Sequence, residues 1–201
     1  DNTIEIRFDS ALLYGQARLA EKYIHSWSTD THKLPGGNYV RKSQCNFGWD
    51  WGPKLVTCGI WRDIDLVAYD SARLADVHVR QDHGDAGAVT LTCAVQVTRL
   101  DDEPVWIQCD VVLGEELVAS ETVAVLGETA VTNLTLNNPQ RWWPNGLGEQ
   151  PLYTVKVTLV DGAERPLDRW QHKIGLRTLR LVREKDEWGE SFHFECNGVP
   201  F

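Results

Sequence analysis

The chain of 201 residues alternates apolar and polar positions over much of its second half. Every second residue is apolar from residue 89 to 98, and the same period of two recurs from 105 to 113. Successive strand side chains point to opposite faces, so this pattern predicts strands with one buried face. Further strands are predicted at residues 77–79, 117–125, 131–136, 153–159 and 167–181.

Turn signals rich in Gly, Asp and Pro separate these strands. About seven short strands, with turns every 8–12 residues, indicate an immunoglobulin-like β-sandwich. The predicted strand 153–159 lacks the second cysteine of an antibody-type bridge, so we expect the apolar core alone to hold the sandwich. The five cysteines show no Cys-x-x-Cys spacing, which favours reduced, mostly buried thiols over a zinc site.

The first third of the chain has a different pattern. Residues 3–8 alternate and predict a half-buried strand, and Ser10 is a candidate N-cap for a helix that ends near Lys22. A long polar loop is predicted at 26–38, followed by strands at 39–44 and 59–69. The composition changes again near residues 70–75, which predicts a domain boundary there.

A loop rich in tryptophan lies between the last two of these predicted strands. Trp49, Asp50 and Trp51 stand between Gly48 and a Gly-Pro pair, so the backbone is punctuated as in a loop. Two aromatic planes and one carboxylate acceptor suit the apolar face and hydroxyl rim of a sugar ring. The alternative is structural, with both tryptophans filling the core and Asp50 capping a turn.

Composition and motifs exclude several other functions. The net charge of −9 and the absence of a basic stripe argue against a nucleic-acid partner, and no apolar run is long enough for a membrane helix. The six scattered histidines predict no metal site, and no motif predicts a catalytic centre or a cofactor. Asp63 and Asp65 share one strand face, where a solvated sheet edge is favoured over a catalytic or cation-binding pair.

Four stretches together resemble glycoside hydrolase family 2, and the tryptophan-rich stretch resembles its β-mannosidase branch. These stretches are Arg41-Lys42-Ser43-Gln44 with Phe47-Gly48-Trp49-Asp50-Trp51-Gly52-Pro53; Gly59-Ile60-Trp61-Arg62; Trp142-Trp143-Pro144-Asn145-Gly146 with Gln150-Pro151-Leu152-Tyr153; and Gly175-Leu176-Arg177-Thr178 with Phe192 to Phe201. The resemblance covers nearly the whole chain.

The resemblance implies an all-β fold in three parts. Residues 1–70 would be the C-terminal part of a jelly-roll-like, sugar-binding β-sandwich, and 71–183 an immunoglobulin-like β-sandwich. Residues 184–201 would lead into a (β/α)8 catalytic barrel that lies outside this sequence. The chain has no methionine, and we expect it to be an interior part of a longer protein.

The resemblance also implies an activity for that longer protein. It would hydrolyse terminal, non-reducing β-D-mannose with retention, using two glutamates of the barrel, so no residue here is expected to be catalytic. Asp50 would bind mannose hydroxyls, and Trp49 and Trp51 would shape the pocket wall. The implied partners are mannose-terminated oligosaccharides or glycoconjugates and the chain's own barrel. The sequence does not indicate an oligomeric state.

Other interpretations stay open from the sequence. The same domains occur in β-galactosidase and β-glucuronidase, which share the Gly59-Ile60-Trp61-Arg62 and Trp142-to-Gly146 motifs. A stand-alone carbohydrate-binding module and a pair of purely structural spacer domains are further alternatives. We favour a bacterial cytoplasm over a lysosomal or secreted location.

Overall fold

The computed structural model describes residues 3–25, 33–84 and 87–201. The chain divides into two compact units, Asp1–Val67 and Ala68–Phe201. Most of the predicted loop at 26–38, and Asp85 of a predicted turn, lie outside the described residues. Each unit is described by itself below.

Two antiparallel sheets form the body of the second unit. One sheet has the order β1-β2-β5 and the other β4-β3-β6-β7, which confirms the seven-stranded immunoglobulin-like sandwich. The strands are β1 (Ala72–His83), β2 (Val89–Arg99), β3 (Val105–Leu113), β4 (Glu116–Ala124), β5 (Thr129–Leu136), β6 (Tyr153–Asp161) and β7 (Pro166–Ile174).

The core of this unit comes from the inward face of the alternating strands. Along β2, β3 and β6 every second side chain is buried, as the period of two predicts. Burying one such aliphatic side chain contributes about 1.5–3 kcal/mol before the entropy of ordering it is subtracted. Fully buried members include Leu91, Ile107, Val111, Val155 and Leu159.

A small sheet of three strands follows the sandwich in sequence. It contains β8 (Leu179–Val182), β9 (His193–Cys196) and β10 (Val199–Pro200) in the order β10-β9-β8. Asn197 and Gly198 form the tight turn between β9 and β10 with φ values of 51° and 81°, as is typical of an Asn-Gly pair in a hairpin.

The prediction of one strand over residues 167–181 is wrong, because β7 ends at Ile174 and β8 begins at Leu179. Between them Leu176 is fully buried in the sandwich core. The backbone N–H of Trp142 donates a hydrogen bond of 3.0 Å to the Leu176 carbonyl. This bond takes the place of a strand ladder and interrupts the run.

In the first unit, the predicted helix is confirmed. Helix α1 (Ala11–Glu21) begins after Ser10, whose hydroxyl accepts a hydrogen bond of 3.3 Å from the N–H of Leu13. Two short 3₁₀ helices follow, Gly37–Tyr39 and Gln44–Phe47.

The strands predicted at residues 3–8, 39–44 and 59–69 are wrong, since none of the described residues there forms a strand. Their alternating apolar side chains are exposed instead, with Ile4 at 75% and Leu66 at 91%. A strand requires a neighbour that pairs with its backbone, and no described segment pairs with these residues. The alternation therefore marks an apolar face that remains in contact with solvent.

The two tryptophans of the 141–146 segment, Trp142 and Trp143, pack within the second unit. A side-chain carbon at Gly175 would lie 2.8 Å from the Trp142 ring, and one at Gly148 would lie 2.8 Å from the Trp143 ring. The guanidinium of Arg177 lies over the Trp142 ring at 4.6 Å. These contacts hold the segment against the linker between β7 and β8.

A chain of hydrogen bonds connects this segment to the end of β1. Arg141 donates to Nδ1 of His83, and the other ring nitrogen of His83 lies 3.0 Å from Oε1 of Gln81. Gln81 in turn donates to the Gly175 carbonyl over 3.1 Å and accepts from the backbone N–H of Arg177 over 3.2 Å. Because arginine can only donate, His83 is neutral here and carries its proton on Nε2.

The stability of the second unit should therefore depend on pH through His83. Burial and then the Arg141 guanidinium lower the pKa of His83, against the opposing effects of the Asp82 carboxylate and of the hydrogen bond with Arg177. In the unfolded chain His83 titrates near its ordinary value of about 6.5. Between these two values the unfolded state binds more protons, so the free energy of unfolding should fall as the pH decreases from about 7 to about 5.

This dependence can be measured by urea unfolding at several pH values with His83→Gln. Glutamine keeps an acceptor for Arg141 but does not titrate, so its unfolding free energy should fall less below pH 7 than that of the original sequence. His78→Gln, at an exposed position of the same strand, is the matched control and should keep the original pH dependence. Identical pH profiles for both variants would contradict the role given to His83.

Candidate functional site

The loop with the predicted site residues begins where the second 3₁₀ helix ends. Gly48 has a φ of 120°, a conformation that residues with side chains rarely adopt. Its N–H donates to the Cys45 carbonyl over 3.1 Å, and a second turn closes where Gly52 N–H donates to the Trp49 carbonyl over 3.4 Å. One turn therefore fixes the backbone just before Trp49, and the second spans Trp49 to Gly52 and includes Asp50.

Phe47 anchors the base of this loop. Its side chain is 1% exposed, and its carbonyl accepts a hydrogen bond of 2.7 Å from the N–H of Leu34. A side-chain carbon at Gly37 would lie 2.9 Å from the Phe47 ring, so only glycine leaves room for the ring there. The amide of Gln44 donates to the Gly37 carbonyl over 2.9 Å. The loop base is thus tied to the segment that begins at Leu34.

Helix α1 supports the same segment from its other side. A side-chain carbon at Gly15 would lie 2.3 Å from the carbonyl oxygen of Gly36. A real side chain could not be placed there, so the two backbones approach this closely only because both residues are glycine. The hydroxyl of Tyr39 also donates to the Lys22 carbonyl just after the helix. Helix α1 therefore supports the 34–39 segment, and that segment in turn holds Phe47 at the base of the loop.

The three predicted site side chains lie together at the tip of the loop and face solvent. Trp49 is 41% exposed, Trp51 is 79% exposed, and Asp50 is exposed as well. These values contradict the alternative in which both tryptophans fill the core. Among the described residues no hydrogen bond or ion pair of the Asp50 carboxylate occurs, so the cap role is not supported either.

Lys33 is a neighbour of the site that the sequence did not indicate. Its ammonium group lies over the ring of Trp49, 4.1 Å from the ring centre. It is sixteen positions away in sequence, in a polar stretch without a periodic pattern, so no local signal points to this contact. The ammonium group of Lys33 covers one face of the Trp49 ring, whereas Trp51 is the more exposed of the two tryptophans.

The other sequence candidates supply no second site. Asp63 and Asp65 are both exposed, as expected of a solvated edge, although the strand predicted to carry them does not form. Within residues 3–25, 33–84 and 87–201, no group of three potential ligands is arranged to hold a metal ion. In the same ranges, no helix has the length and apolarity that crossing a membrane requires.

Comparison with known families covers both units. Residues 1–62 match the family described as "Glycosyl hydrolase 2 galactose-binding domain-like". Residues 72–177, more than half of the chain, match "Glycosyl hydrolases family 2". The chain belongs to glycoside hydrolase family 2.

Individual relatives within family 2 are similar along nearly the whole chain. "Beta-mannosidase B" of Emericella nidulans is 35% identical over 207 residues, and its namesake in Aspergillus fumigatus is 36% identical over 203; both matches cover 99% of this chain. The crystal structure of a β-D-mannosidase from Dictyoglomus thermophilum superposes over 94% of the chain with a TM-score of 0.79 and 29% identity. The chain spans only 24%, 23% and 23% of these three proteins.

The support that α1 gives to the loop with Trp49, Asp50 and Trp51 can be tested with Gly15→Ala. The added methyl group would clash with the Gly36 backbone, at a cost of about 1–3 kcal/mol typical of overpacking. Amide hydrogen exchange of Leu34 should then be roughly 5- to 150-fold faster, because its bond to Phe47 opens more often.

Gly52→Ala is the matched control for this substitution. A methyl group there would meet only the Trp49 Cβ at an ordinary 3.8 Å, so Leu34 should keep its protection. Unchanged exchange of Leu34 in Gly15→Ala would show that α1 does not support the loop.

Proposed function

We propose that this chain supplies accessory domains of a retaining exo-β-mannosidase, and that its Trp49–Trp51 loop forms part of the substrate pocket. The protein as a whole would hydrolyse terminal, non-reducing β-D-mannose in oligosaccharides or glycoconjugates. Both reacting glutamates would belong to a catalytic barrel outside this sequence, so the chain's own residues bind and position the sugar but do not react with it.

The observation that carries this proposal is the exposed carboxylate of Asp50, which has no partner among the described residues and stands between two exposed tryptophans. An exposed indole provides an apolar plane for the C–H face of a pyranose, and Asp50 provides acceptors for hydroxyl groups. The base of the loop is held by Phe47 and Gly48, so the tip is positioned before any sugar arrives. That the three named relatives are mannosidases supports mannose as the sugar.

The same proposal gives a separate role to each of the three parts of the chain. Residues 1–70 would carry the pocket loop, and 71–183 would act as the immunoglobulin-like spacer. Residues 184–201 would lead into the barrel. Exposed apolar side chains on the small C-terminal sheet, among them Phe192, Phe194 and Phe201, fit a segment that continues into another packed domain.

The role of Asp50 is tested by Asp50→Ala in the enzyme that includes the barrel. Loss of a hydrogen bond to a charged acceptor costs about 1.5–3 kcal/mol, so kcat/KM for an aryl β-mannoside should fall roughly 10- to 150-fold. Asp65→Ala, which removes an exposed carboxylate outside the loop, should leave kcat/KM unchanged. Equal kinetics of both variants and the original enzyme would overturn the assignment of Asp50.

The alternative of a stand-alone carbohydrate-binding module makes a different prediction. If the pocket needs the barrel for its other walls, isothermal titration of this chain alone with a β-mannoside should give no measurable heat of binding. Saturable binding that is lost in Trp51→Ala would favour the independent module over the proposed accessory role.

A further inference from the structure

Two cysteine thiols face each other across the core of the immunoglobulin-like sandwich. Cys93 lies on β2 and Cys109 on β3, strands that belong to different sheets. Their sulfur atoms are 3.4 Å apart, and neither residue has any exposed surface. Both are free thiols, as are the other three cysteines.

The position of this pair differs from that of the bridge in antibody domains. The partner of Cys109 in the β3–β6 ladder is Val157, so β6 contributes no sulfur. The cysteine that lies across from Cys93 is supplied by β3 instead, sixteen residues along the chain. From the sequence, the missing cysteine in 153–159 predicts a sandwich held by its apolar core alone. The structure places two other cysteines face to face across that core.

The geometry requires only a small movement to close a bond. A disulfide has a sulfur–sulfur distance of about 2.05 Å, which rotation about the two Cα–Cβ bonds, with a small shift of the backbone, can approach from 3.4 Å. The surrounding side chains are small or aliphatic, including Val95, Ile107 and Val155. Neither sulfur is engaged by a charged group or a metal ligand set among the described residues.

A buried hydroxyl lies beside the pair. Thr132 on β5 is the ladder partner of Cys93 and is 1% exposed. Its oxygen has no other hydrogen-bond partner in the described parts of the chain, which leaves it available to the sulfurs. The hydrogen bond with Cys93, together with burial, raises the pKa of Cys109. In the closed sandwich burial therefore protects both thiols from reagents, and the thiol of Cys109 is poorly ionised.

We propose that Cys93 and Cys109 are a latent cross-sheet disulfide site, which closes when the chain folds in the presence of a disulfide oxidant and stays reduced otherwise. The reaction is thiol–disulfide exchange, with a small-molecule disulfide such as oxidised glutathione as co-reactant. The thiolate of one cysteine attacks that disulfide and releases one glutathione thiol. The thiolate of the other then attacks the mixed disulfide and releases the second. The protein loses two electrons and two protons, which the two glutathione molecules carry away.

The exchange belongs to the folding step because the finished sandwich excludes the oxidant. While the two sheets are still apart, both thiols are accessible and have the ordinary acidity of a cysteine. The bond then forms as β2 and β3 come together. Once closed, it links the two sheets across the core.

The experiment compares one protein in two redox states. The chain with Cys45→Ser and Cys58→Ser, which removes the two exposed thiols, is unfolded and refolded with either reduced or oxidised glutathione. Alkylation under denaturing conditions and mass spectrometry then count the free thiols. We expect one free thiol, Cys196, after oxidative refolding, and a cross-linked peptide that joins Cys93 to Cys109. Three free thiols after oxidative refolding would overturn the proposal.

The melting temperature shows whether the sandwich accommodates the disulfide or is strained by it. For a loop of this length, the chain-entropy model predicts a melting temperature about 10 °C higher in the oxidised form. An oxidised form that melts at or below the reduced form would show that the sandwich does not accommodate the bond, and would also overturn the proposal. Cys196→Ala, which removes the third buried thiol, should leave both the cross-link and the shift intact. Cys93→Ala should abolish the shift between the two refolding conditions.

Discussion

Hydrogen-bond pairing on both sides of the central strands is the constraint on which the immunoglobulin-like sandwich depends. β2 lies between β1 and β5, β3 between β4 and β6, and β6 between β3 and β7. With both edges paired, these strands can bury one face completely without leaving a backbone N–H or carbonyl unsatisfied. The edge strand β4 has one neighbour and remains largely exposed along its length. The edge strand β5 of the other sheet still buries every second side chain, so an edge strand with an apolar inward face also contributes to the core.

The same constraint explains which parts of the fold could be predicted from sequence. The sequence predicted the existence of all seven sandwich strands, because apolar and polar residues alternate along them and turn residues separate them, although the bounds of β1 and β7 differ from the prediction. Residues 3–8 and 59–69 alternate just as well but have no described partner, so they do not form strands. An alternation of apolar and polar residues shows which side of a segment is apolar. It does not show whether another segment is present to pair with its backbone. The break after β7 was equally hidden, because Leu176 is as apolar as the strand residues before it and leaves the ladder only through its bond to Trp142.

The candidate site was predictable in its chemistry but not in its support. The exposed group of Trp49, Asp50 and Trp51 could be inferred because glycine and proline punctuate the backbone around them. Its support could not, because each contact joins residues distant in sequence: α1 with Gly36, Leu34 with Phe47, and Lys33 with Trp49. Close glycine crossings and cation–π pairs of this kind leave no periodic pattern.

The difference in solvent exposure between the base and the tip of the loop is evidence about its role. Phe47 is almost completely buried, whereas Trp51, four positions later, keeps 79% of its surface exposed. A tryptophan with that exposure contributes little to the stability of its own unit, since little of its apolar area leaves water. The exposed carboxylate of Asp50 likewise forms no hydrogen bond or ion pair with any of the described residues. A fixed base reduces the conformational entropy lost when the tip meets a ligand, so binding energy is spent on contacts and not on ordering the backbone. A held base under an exposed tip is therefore expected of a recognition loop and not of a folding element, which supports the role proposed for this loop in a sugar pocket.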